Sequence, residues 1–398
     1  MFNSYRHTVR ASYIGYITGA TINNFAPLLF LTFQDLYGID IGRIAMLVGV
    51  NFGVQLLMNF LGANFADKIG YRKIAVTAHI FAATGLVGLG VLPEILSDAY
   101  VGLMLAVLLY GFGGGMLEVV ISPIVEACPE EPGKKSARMS FLHSFYCWGQ
   151  VSVIVIATVF FIAFGIENWK ILACILAVVP AANAVYFTRV PILQLNQGGE
   201  SMSVRKLAKL RLFWVLLLLM VCAGASEQAM VQWASFFAES GLGVPKAVGD
   251  LAGPGMFAVL MGISRVFYAK FSERINLQKF IIASGCLCVV TYIVASLSPV
   301  PVIGLIASAL TGLSVGIMWP GMLSVASVKC KNGGTALFAL LALGGTLGCT
   351  IGPLAVGFVA EAAGDNIRAG ISVGTVFPLI LAFGAVLLLR HGKNVKEN

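Results

Sequence analysis

The chain has 398 residues, of which 58% are hydrophobic and only 11% are charged, and its formal net charge is +8. Soluble globular proteins carry roughly 25% charged residues, so this deficit excludes a protein whose whole surface faces water and favours one surrounded by lipid. The positive charge does not indicate a nucleic-acid-binding protein, because the basic residues alternate between loops instead of collecting on one face.

Twelve apolar stretches follow one another along the chain. A helix that spans a bilayer needs roughly 20 mostly apolar residues, and the stretches predict spanning helices near residues 10–36, 42–66, 74–93, 99–126, 138–164, 169–188, 212–238, 248–271, 278–297, 300–327, 333–361 and 367–389. The gaps are short except for the polar segment 190–211. We therefore expect an all-α membrane protein with two pseudo-symmetric six-helix bundles, 1–189 and 212–398, joined by a cytoplasmic linker, 190–211.

The basic residues predict the orientation of the chain. With an even number of helices, both termini lie on the same side of the membrane. The terminal tails and the even-numbered loops contain most of the Lys and Arg, whereas the opposite loops contain only Arg43, Lys170, Lys246 and Arg368. Because cytoplasmic loops are enriched in Lys and Arg, we expect both termini to be cytoplasmic, in a multi-pass protein of the cell (inner) membrane.

The two halves of the chain contain matching segments. Residues 65–73, after the second helix, read Phe-Ala-Asp-Lys-Ile-Gly-Tyr-Arg-Lys, and residues 267–274, after the eighth, read Phe-Tyr-Ala-Lys-Phe-Ser-Glu-Arg. Parallel repeats of six helices are typical of the major facilitator fold. Residues 67–73 also resemble the loop motif of major facilitator transporters, Asp-Arg-x-Gly-Arg-Arg/Lys. This resemblance implies a secondary transporter, with a cytoplasmic gate that contains Asp67, Lys68, Gly70 and Arg72.

A narrower resemblance is to the fucose–proton symporter family of sugar transporters. The segments that carry it are 113–118 (Gly-Gly-Gly-Met-Leu-Glu), 143–149 (His-Ser-Phe-Tyr-Cys-Trp-Gly) and 316–320 (Gly-Ile-Met-Trp-Pro). A helix-four glutamate is implicated in proton coupling in that family, and the matching position here is Glu118. The family also has a helix-one aspartate, but the corresponding residues 22–25 (Ile-Asn-Asn-Phe) contain no carboxylate.

Three charged residues are placed well inside predicted helices: Glu118, Glu227 and Arg265. An ionisable group at membrane depth costs a few kcal/mol or more, which makes each a functional candidate. Glu118 shares one helical face with Gly111, Gly115 and Ser122, so we expect it to face a protein cavity and to exchange a proton. A structural carboxyl group, hydrogen-bonded to a neighbouring helix, is the alternative for Glu118. Arg265 could extend toward the cytoplasmic interface or belong to the inner gate.

Polar side chains at helical spacing predict the solute site. His143 and Tyr146 share one face of helix five, while Gln228 and Gln232 form a polar face of helix seven with Ser235. Amide and hydroxyl groups of this kind suit a polyol, and the indoles of Trp148 and Trp319 could stack on a sugar ring. We expect the solute near the membrane midplane, between the two halves, in contact with Asn24, Glu118, His143, Tyr146, Glu227, Gln228, Gln232 and Trp319. Interhelical hydrogen bonding without a ligand is the alternative for helix seven, where Glu227 and the glutamine face differ by roughly 100° around a regular helix.

These observations leave three classes of function open. The favoured one is proton-coupled import of a sugar or related polar solute, in which Glu118 and Glu227 couple the proton. Proton-driven efflux of an amphipathic compound is the first alternative, and a membrane enzyme or a non-transporting receptor is the least favoured. No motif indicates a cofactor or a metal, and the eight cysteines mostly fall in apolar segments. We expect a monomer whose partners are the small solute, protons and the lipid bilayer.

Overall fold

The computed structural model of the protein describes residues 4–129, 135–193, 204–271, 274–330 and 334–394, of which 63–68, 135–137, 139–140, 269, 334–336 and 390–394 are described by backbone alone. Twelve helical segments in this part of the chain are long and apolar enough to cross a membrane. Each corresponds to one of the predicted stretches, and the described residues contain no β-strand. The prediction of an all-α membrane protein with twelve spanning helices is thus confirmed.

The chain forms two compact units, Met1–Ile39 with Val50–Gln197, and Asp40–Gly49 with Gly198–Asn398. Six spanning helices precede the segment 190–211. They are α1 (Tyr5–Asn24, followed by a 3₁₀ turn at Ala26–Leu29 and the helix Phe30–Tyr37), α2 (Ile41–Ile69), α3 (Tyr71–Ile95), α4 (Ala99–Ala127), α5 (Lys135–Phe164) and α6 (Trp169–Arg189).

Six further spanning helices follow the short helix Val204–Leu207. They are α7 (Arg211–Val231), α8 (Lys246–Asp250, a π turn at Leu251–Gly255 and Met256–Phe271), α9 (Leu277–Leu297), α10 (Pro301–Val315 and Met318–Lys329), α11 (Gly334–Ala362) and α12 (Ile367–Val373 and Val376–Asn394). The α7–α8 connection contains the short helix Ala234–Phe236 and a π turn at Phe237–Gly241.

Several spanning helices are interrupted, and proline accounts for two of the breaks. Proline has no N–H, so Pro27 cannot donate to the carbonyl of Asn23, and α1 gives way to a 3₁₀ turn there. For the same reason, Pro320 cannot donate to the carbonyl of Gly316, where the two segments of α10 meet. α7 ends at Val231 and is followed by a two-residue turn. Each break lies beside polar side chains that are described below.

Glycines set the spacing between α7 and α11. Gly344, Gly348 and Gly352 recur every four residues, and each lies directly against α7. A Cβ atom at Gly352 would stand 2.7 Å from the carbonyl oxygen of Ala225, and one at Gly348 would overlap the carbonyl oxygen of Val221. This glycine face of α11 is therefore a packing surface, on which the two backbones come close enough to touch.

Gly348→Ala is expected to destabilise the second unit. The added methyl group would meet the Val221 carbonyl and the Ala225 nitrogen, which are backbone atoms and can move only if α7 and α11 separate. Overpacking of this kind costs about 1–3 kcal/mol. Thermal unfolding of the purified variant measures the loss. Gly262→Ala in α8 is the matched control, because a Cβ there meets nothing within 4 Å; an equal loss in both variants would contradict the packing argument.

Candidate functional site

The glycine face of α4 packs against α2. A Cβ atom at Gly115 would stand 2.6 Å from Cβ of Met58 and 2.9 Å from Cα of Gln55, so only glycine permits this approach. Glu118 follows one turn later on the same helix, and Asn59 of α2 donates a hydrogen bond from Nδ2 to its Oε2 at 2.6 Å. The close contact between α2 and α4 thus brings an amide to the intramembrane carboxylate.

The Glu118 carboxylate is at membrane depth, and the neighbouring helices leave it exposed. It lies nine residues before the end of α4, about 13 Å from that end at 1.5 Å per residue, and its side chain is exposed in the first unit. Among the described residues, the Glu118 carboxylate is hydrogen-bonded to the neutral amide of Asn59. A carboxylate in such a position can bind and release a proton without leaving its helix.

A hydroxyl and an imidazole lie one turn beyond Glu118. The hydroxyl of Tyr16 in α1 is 3.0 Å from Oγ of Ser122 in α4 and 3.0 Å from Nδ1 of His143 in α5. A phenol has one proton, so it donates to one of these neighbours and accepts from the other, and the direction reverses with the tautomer of the histidine. Three helices therefore meet at a short chain of groups that can pass a proton.

Buried amides form a second group in the same unit. Nε2 of Gln55 donates to Oδ1 of Asn23 at 2.8 Å, and Nδ2 of Asn51 donates to the same oxygen at 3.0 Å. Asn23 in turn donates from Nδ2 to the hydroxyl of Tyr146 at 3.4 Å. Asn24, which was predicted to contact the solute, lies outside this group, because its Nδ2 donates to the carbonyl of Ala20 in its own helix. The helix-one amide that joins α1, α2 and α5 is thus Asn23.

Two hydrogen-bond acceptors near these amides have no partner among the described residues. They are Oε1 of Gln55 and Oδ1 of Asn59, and both atoms are buried. The two side chains follow each other by one turn of α2, so their free oxygens lie on one face. A buried acceptor without a partner costs about 1–3 kcal/mol, and a ligand hydroxyl would relieve that cost.

In the second unit, α7 and α8 share an ion pair. Nη2 of Arg265 lies 3.8 Å from Oε2 of Glu227, and both side chains are mostly buried. Nε2 of Gln228 donates to the other oxygen of Glu227 at 3.2 Å, and Nε2 of Gln232 donates to Oε1 of Gln228 at 3.0 Å. Four predicted site residues are therefore joined in one line, and they include Arg265, which was expected near the gate.

The line of side chains ends at Gln232, where the regular part of α7 also ends. The helix ends at Val231, and the N–H of Gln232 is shared between the carbonyls of Gln228 and Met230. Trp233 then donates from its indole to the carbonyl of Pro353 at 3.0 Å. Glu227 and Gln228 are neighbours within the regular helix, about 100° apart around its axis, and the Gln228 side chain spans that angle by donating to the Glu227 carboxylate.

Arg265 also supports the break in α10. Its Nε donates to the carbonyl oxygen of Gly316 at 3.2 Å. This is the carbonyl that Pro320 leaves without an intrahelical donor. The guanidinium of α8 thus connects the acidic residue of α7 with the interrupted backbone of α10.

The aromatic candidates have different surroundings. The indole of Trp319 lies over Gly345 of α11, and a Cβ at Gly345 would meet its ring atoms. Trp148 is 62% exposed on α5. Ser235, which was grouped with the glutamines, bonds instead to Glu239 in the α7–α8 connection and to Asp250 in the first segment of α8.

The predicted gate loop is described in part. The side chains of Asp67 and Lys68 lie outside the described residues. Gly70 precedes α3 with φ of 93°, a left-handed conformation that glycine adopts without strain. Nη1 of Arg72 donates to the carbonyls of Phe187 and Thr188, at 2.8 and 3.0 Å, and so ties the start of α3 to the end of α6.

One missed group of site residues has a clear sequence signal. Asn51, Gln55 and Asn59 recur every four residues in α2, which is the spacing of one helical face. Amides are uncharged, so they do not stand out among the intramembrane residues in the way that Glu118, Glu227 and Arg265 do. Tyr16 carries no comparable signal, because a tyrosine in a membrane helix is equally consistent with packing.

The chain was compared with known proteins by sequence and by structure. The family model described as Major Facilitator Superfamily matches residues 12–339. A search of curated protein sequences finds no significant match.

Solved structures share the fold at low identity. A variant of the E. coli fucose:proton symporter FucP is 17% identical, with a TM-score of 0.63 over 97% of this chain and 99% of its own. A bacterial homolog of the human lysosomal transporter Spinster is 14% identical, with a TM-score of 0.78 over 98% of both chains. A variant of the nucleoside transporter NupG is 14% identical, with a TM-score of 0.75 over 96% and 99%.

Proposed function

The chain belongs to the major facilitator superfamily, and we propose that it is a secondary active transporter that imports a sugar or a related polar solute together with a proton. Glu118 carries the proposal, because it is an intramembrane carboxylate that the neighbouring helices leave exposed and that is hydrogen-bonded to the neutral side chain of Asn59. Such a group gains or loses charge when it exchanges a proton, so the transport cycle can respond to a proton gradient. We place the protein in the cell membrane as a monomer, with both termini cytoplasmic.

A polar solute is supported by the hydrogen-bonding groups near Glu118. The free acceptors on Gln55 and Asn59 can receive the hydroxyl protons of a polyol. Tyr16, His143 and Tyr146 add groups that both donate and accept. FucP and NupG, which share the fold, are named for solutes rich in hydroxyl groups. A broad apolar cavity, which suits amphipathic compounds, would not need this many polar side chains.

Reconstitution tests the proposed function directly. Proteoliposomes containing the protein should accumulate a radiolabelled monosaccharide from a panel when an inward proton gradient is imposed, and a protonophore should abolish the accumulation. If instead the vesicles extrude an amphipathic dye and accumulate none of the sugars, the chain is an exporter and the polar-solute proposal is wrong. Protein-free vesicles under the same gradient are the control.

We propose that His143 and Gln228 contact the solute, each from its own unit. Their side chains are held by hydrogen bonds, His143 to Tyr16 and Gln228 to Glu227 and Gln232. Losing one donor to a bound hydroxyl should cost roughly 1–3 kcal/mol, so His143→Ala and Gln228→Ala should each weaken binding roughly ten- to a hundredfold.

Binding of the sugar identified in the vesicle assay is measured by the thermal shift it causes in purified protein. Ser144→Ala is the control for His143, because the Ser144 hydroxyl donates to the carbonyl of Phe141 in its own helix. Unchanged binding in His143→Ala and Gln228→Ala would remove both residues from the site.

We propose that the loop between α2 and α3 belongs to a cytoplasmic gate, together with Arg265. Arg72 anchors the loop to the end of α6. The loop motif also contains Asp67, and a carboxylate can form charge-assisted bonds that break in each transport cycle. Asp67→Asn should therefore slow turnover with little change in affinity. Initial rates and exchange in vesicles measure both, and Lys209→Gln, a change of an exposed charge outside the motif, is the control. Weakened binding with normal turnover would overturn the assignment.

A further inference from the structure

Four polar side chains outside the proposed coupling site meet at the α7–α8 connection. We define them as the connection cluster: Ser235, Glu239, Lys246 and Asp250. Ser235 and Asp250 are buried, while the side chains of Glu239 and Lys246 are 12% and 19% exposed. Ser235 and Glu239 are four residues apart, as are Lys246 and Asp250, so two helical pairs face each other across the connection.

The ammonium group of Lys246 is at the centre of the connection cluster. Its Nζ lies 3.0 Å from Oε1 of Glu239, 3.1 Å from Oδ2 of Asp250 and 3.4 Å from Oγ of Ser235. A metal cation would have to displace it in order to reach the same oxygens. With both carboxyl groups ionised, the cluster would keep one uncompensated negative charge in a largely buried position, which is unfavourable.

The contacts of Ser235 with the two carboxyl groups have only one hydroxyl proton between them. Oγ of Ser235 is within bonding distance of a carboxyl oxygen of Asp250 and lies 3.2 Å from Oε1 of Glu239. Two oxygen–oxygen contacts need two protons, and a serine hydroxyl supplies one. The three ammonium protons are used by the contacts of Lys246. A protonated carboxyl group would supply the second proton, and adding it also makes the cluster electrically neutral.

We propose that the connection cluster is a binding site for one exchangeable proton, reached from solvent through Glu239 and shared with Asp250 through Ser235. Glu239 lies in the π turn Phe237–Gly241, and Asp250 directly precedes the π turn Leu251–Gly255; such turns occur frequently at functional sites. This site is separate from Glu118, and it binds its proton whether or not Glu118 couples transport.

Among the described residues, the electrostatic partners of Glu239 and Asp250 include no cation besides Lys246. The α10 segment that packs on both π turns, Pro301–Val315, contains no titratable side chain. On α12, Arg368 approaches the first π turn but donates to the backbone carbonyls of Gly241 and Ser298. Lys246 is then the cation that faces both carboxyl groups. Burial raises the pKa of Glu239, which lies in the connection outside the spanning helices, although Lys246 opposes the rise.

Infrared difference spectroscopy across a pH titration tests the site in purified full-length protein. The difference between wild type and Glu239→Gln should contain the carbonyl band of one protonated carboxylic acid, and that band should vanish as the pH is raised. Lys246→Met should retain the band to higher pH, because the opposing cation is removed. Glu361→Gln, an exposed carboxylate in the same unit, is the control and should lose no such band.

The same difference measured in a Glu118→Gln background separates this inference from the proposed coupling. The band should persist there, even though proton-driven accumulation is lost. Asp250→Asn alters a fully buried residue and can fail to fold, whereas Glu239→Gln changes a partly exposed one and keeps the test decisive. If wild type and Glu239→Gln show no carboxylic-acid difference at any pH at which both are folded, the cluster is an ion pair without a bound proton, and the inference is wrong.

Discussion

Glu118→Gln is expected to abolish uphill accumulation of the solute while leaving solute exchange intact. The amide cannot take up or release a proton, so a proton gradient no longer performs work through this position. It does resemble the protonated carboxyl group in shape and can still bond to Asn59, which is the partner of Oε2 in the structure. Binding and the movement of solute down its own gradient should therefore continue. Proteoliposome uptake with an imposed proton gradient, compared with equilibrium exchange of labelled solute, measures the two processes.

The control for this prediction is Glu126→Gln. Glu126 is also in α4, but it lies near the end of the helix and is exposed. The Glu126→Gln variant should accumulate solute as the wild type does. Normal proton-driven accumulation by Glu118→Gln would show that another group couples the proton. Loss of both accumulation and exchange would instead mean that Glu118 is needed for binding or for folding, as the structural alternative requires.

The helices and the glycine faces could be predicted because both depend on local periodicity. A run of about 20 apolar residues has few ways to satisfy its backbone in lipid except as a helix. Gly344, Gly348 and Gly352 at a spacing of four share one face in any regular helix, so only the identity of their neighbour was missing. The structure supplies that neighbour as α7.

The contacts of the candidate site could be predicted only in part. Glu118 and His143 were found because charge and imidazole are rare in lipid, but their partners Asn59 and Tyr16 come from other helices, and nothing local in the sequence specifies such a pairing. Helical spacing also does not specify that the Gln228 amide reaches across to Glu227, or that α7 ends just before Trp233 bonds to α11.

The connection cluster was missed for a different reason. Lys246 was counted as a loop charge, and Asp250 lies so close to the start of its predicted helix that it did not count as intramembrane. The structure buries Asp250 completely and brings Lys246 to it within one helical turn. The sequence does contain this i,i+4 pair, but only folding shows that Ser235 and Glu239 close over it.

Arg265→Met is expected to lower the stability of the second unit by about 3 kcal/mol. This value is the lower end of the range for breaking a buried ion pair, because the Arg265 side chain is 29% exposed. The substitution removes the cation beside Glu227 and the donor to the Gly316 carbonyl, while it keeps most of the aliphatic volume. Two buried acceptors then lose a partner at the same time. Reversible unfolding of the purified variant in mixed micelles measures the change.

The double variant Glu227→Gln/Arg265→Met separates the ion pair from the backbone contact. A neutral glutamine needs no cation and can remain bonded to Gln228, so the double variant should recover most of the lost stability, leaving mainly the cost of the unpaired Gly316 carbonyl. Glu227→Gln alone should be milder than Arg265→Met, because it leaves a partly exposed guanidinium that water can solvate. Equal losses in Arg265→Met and in the double variant would show that Glu227 and Arg265 are not energetically coupled. The guanidinium would then act on α10 alone, and the line from Arg265 through Glu227 to Gln232 would not be what holds the glutamines in place.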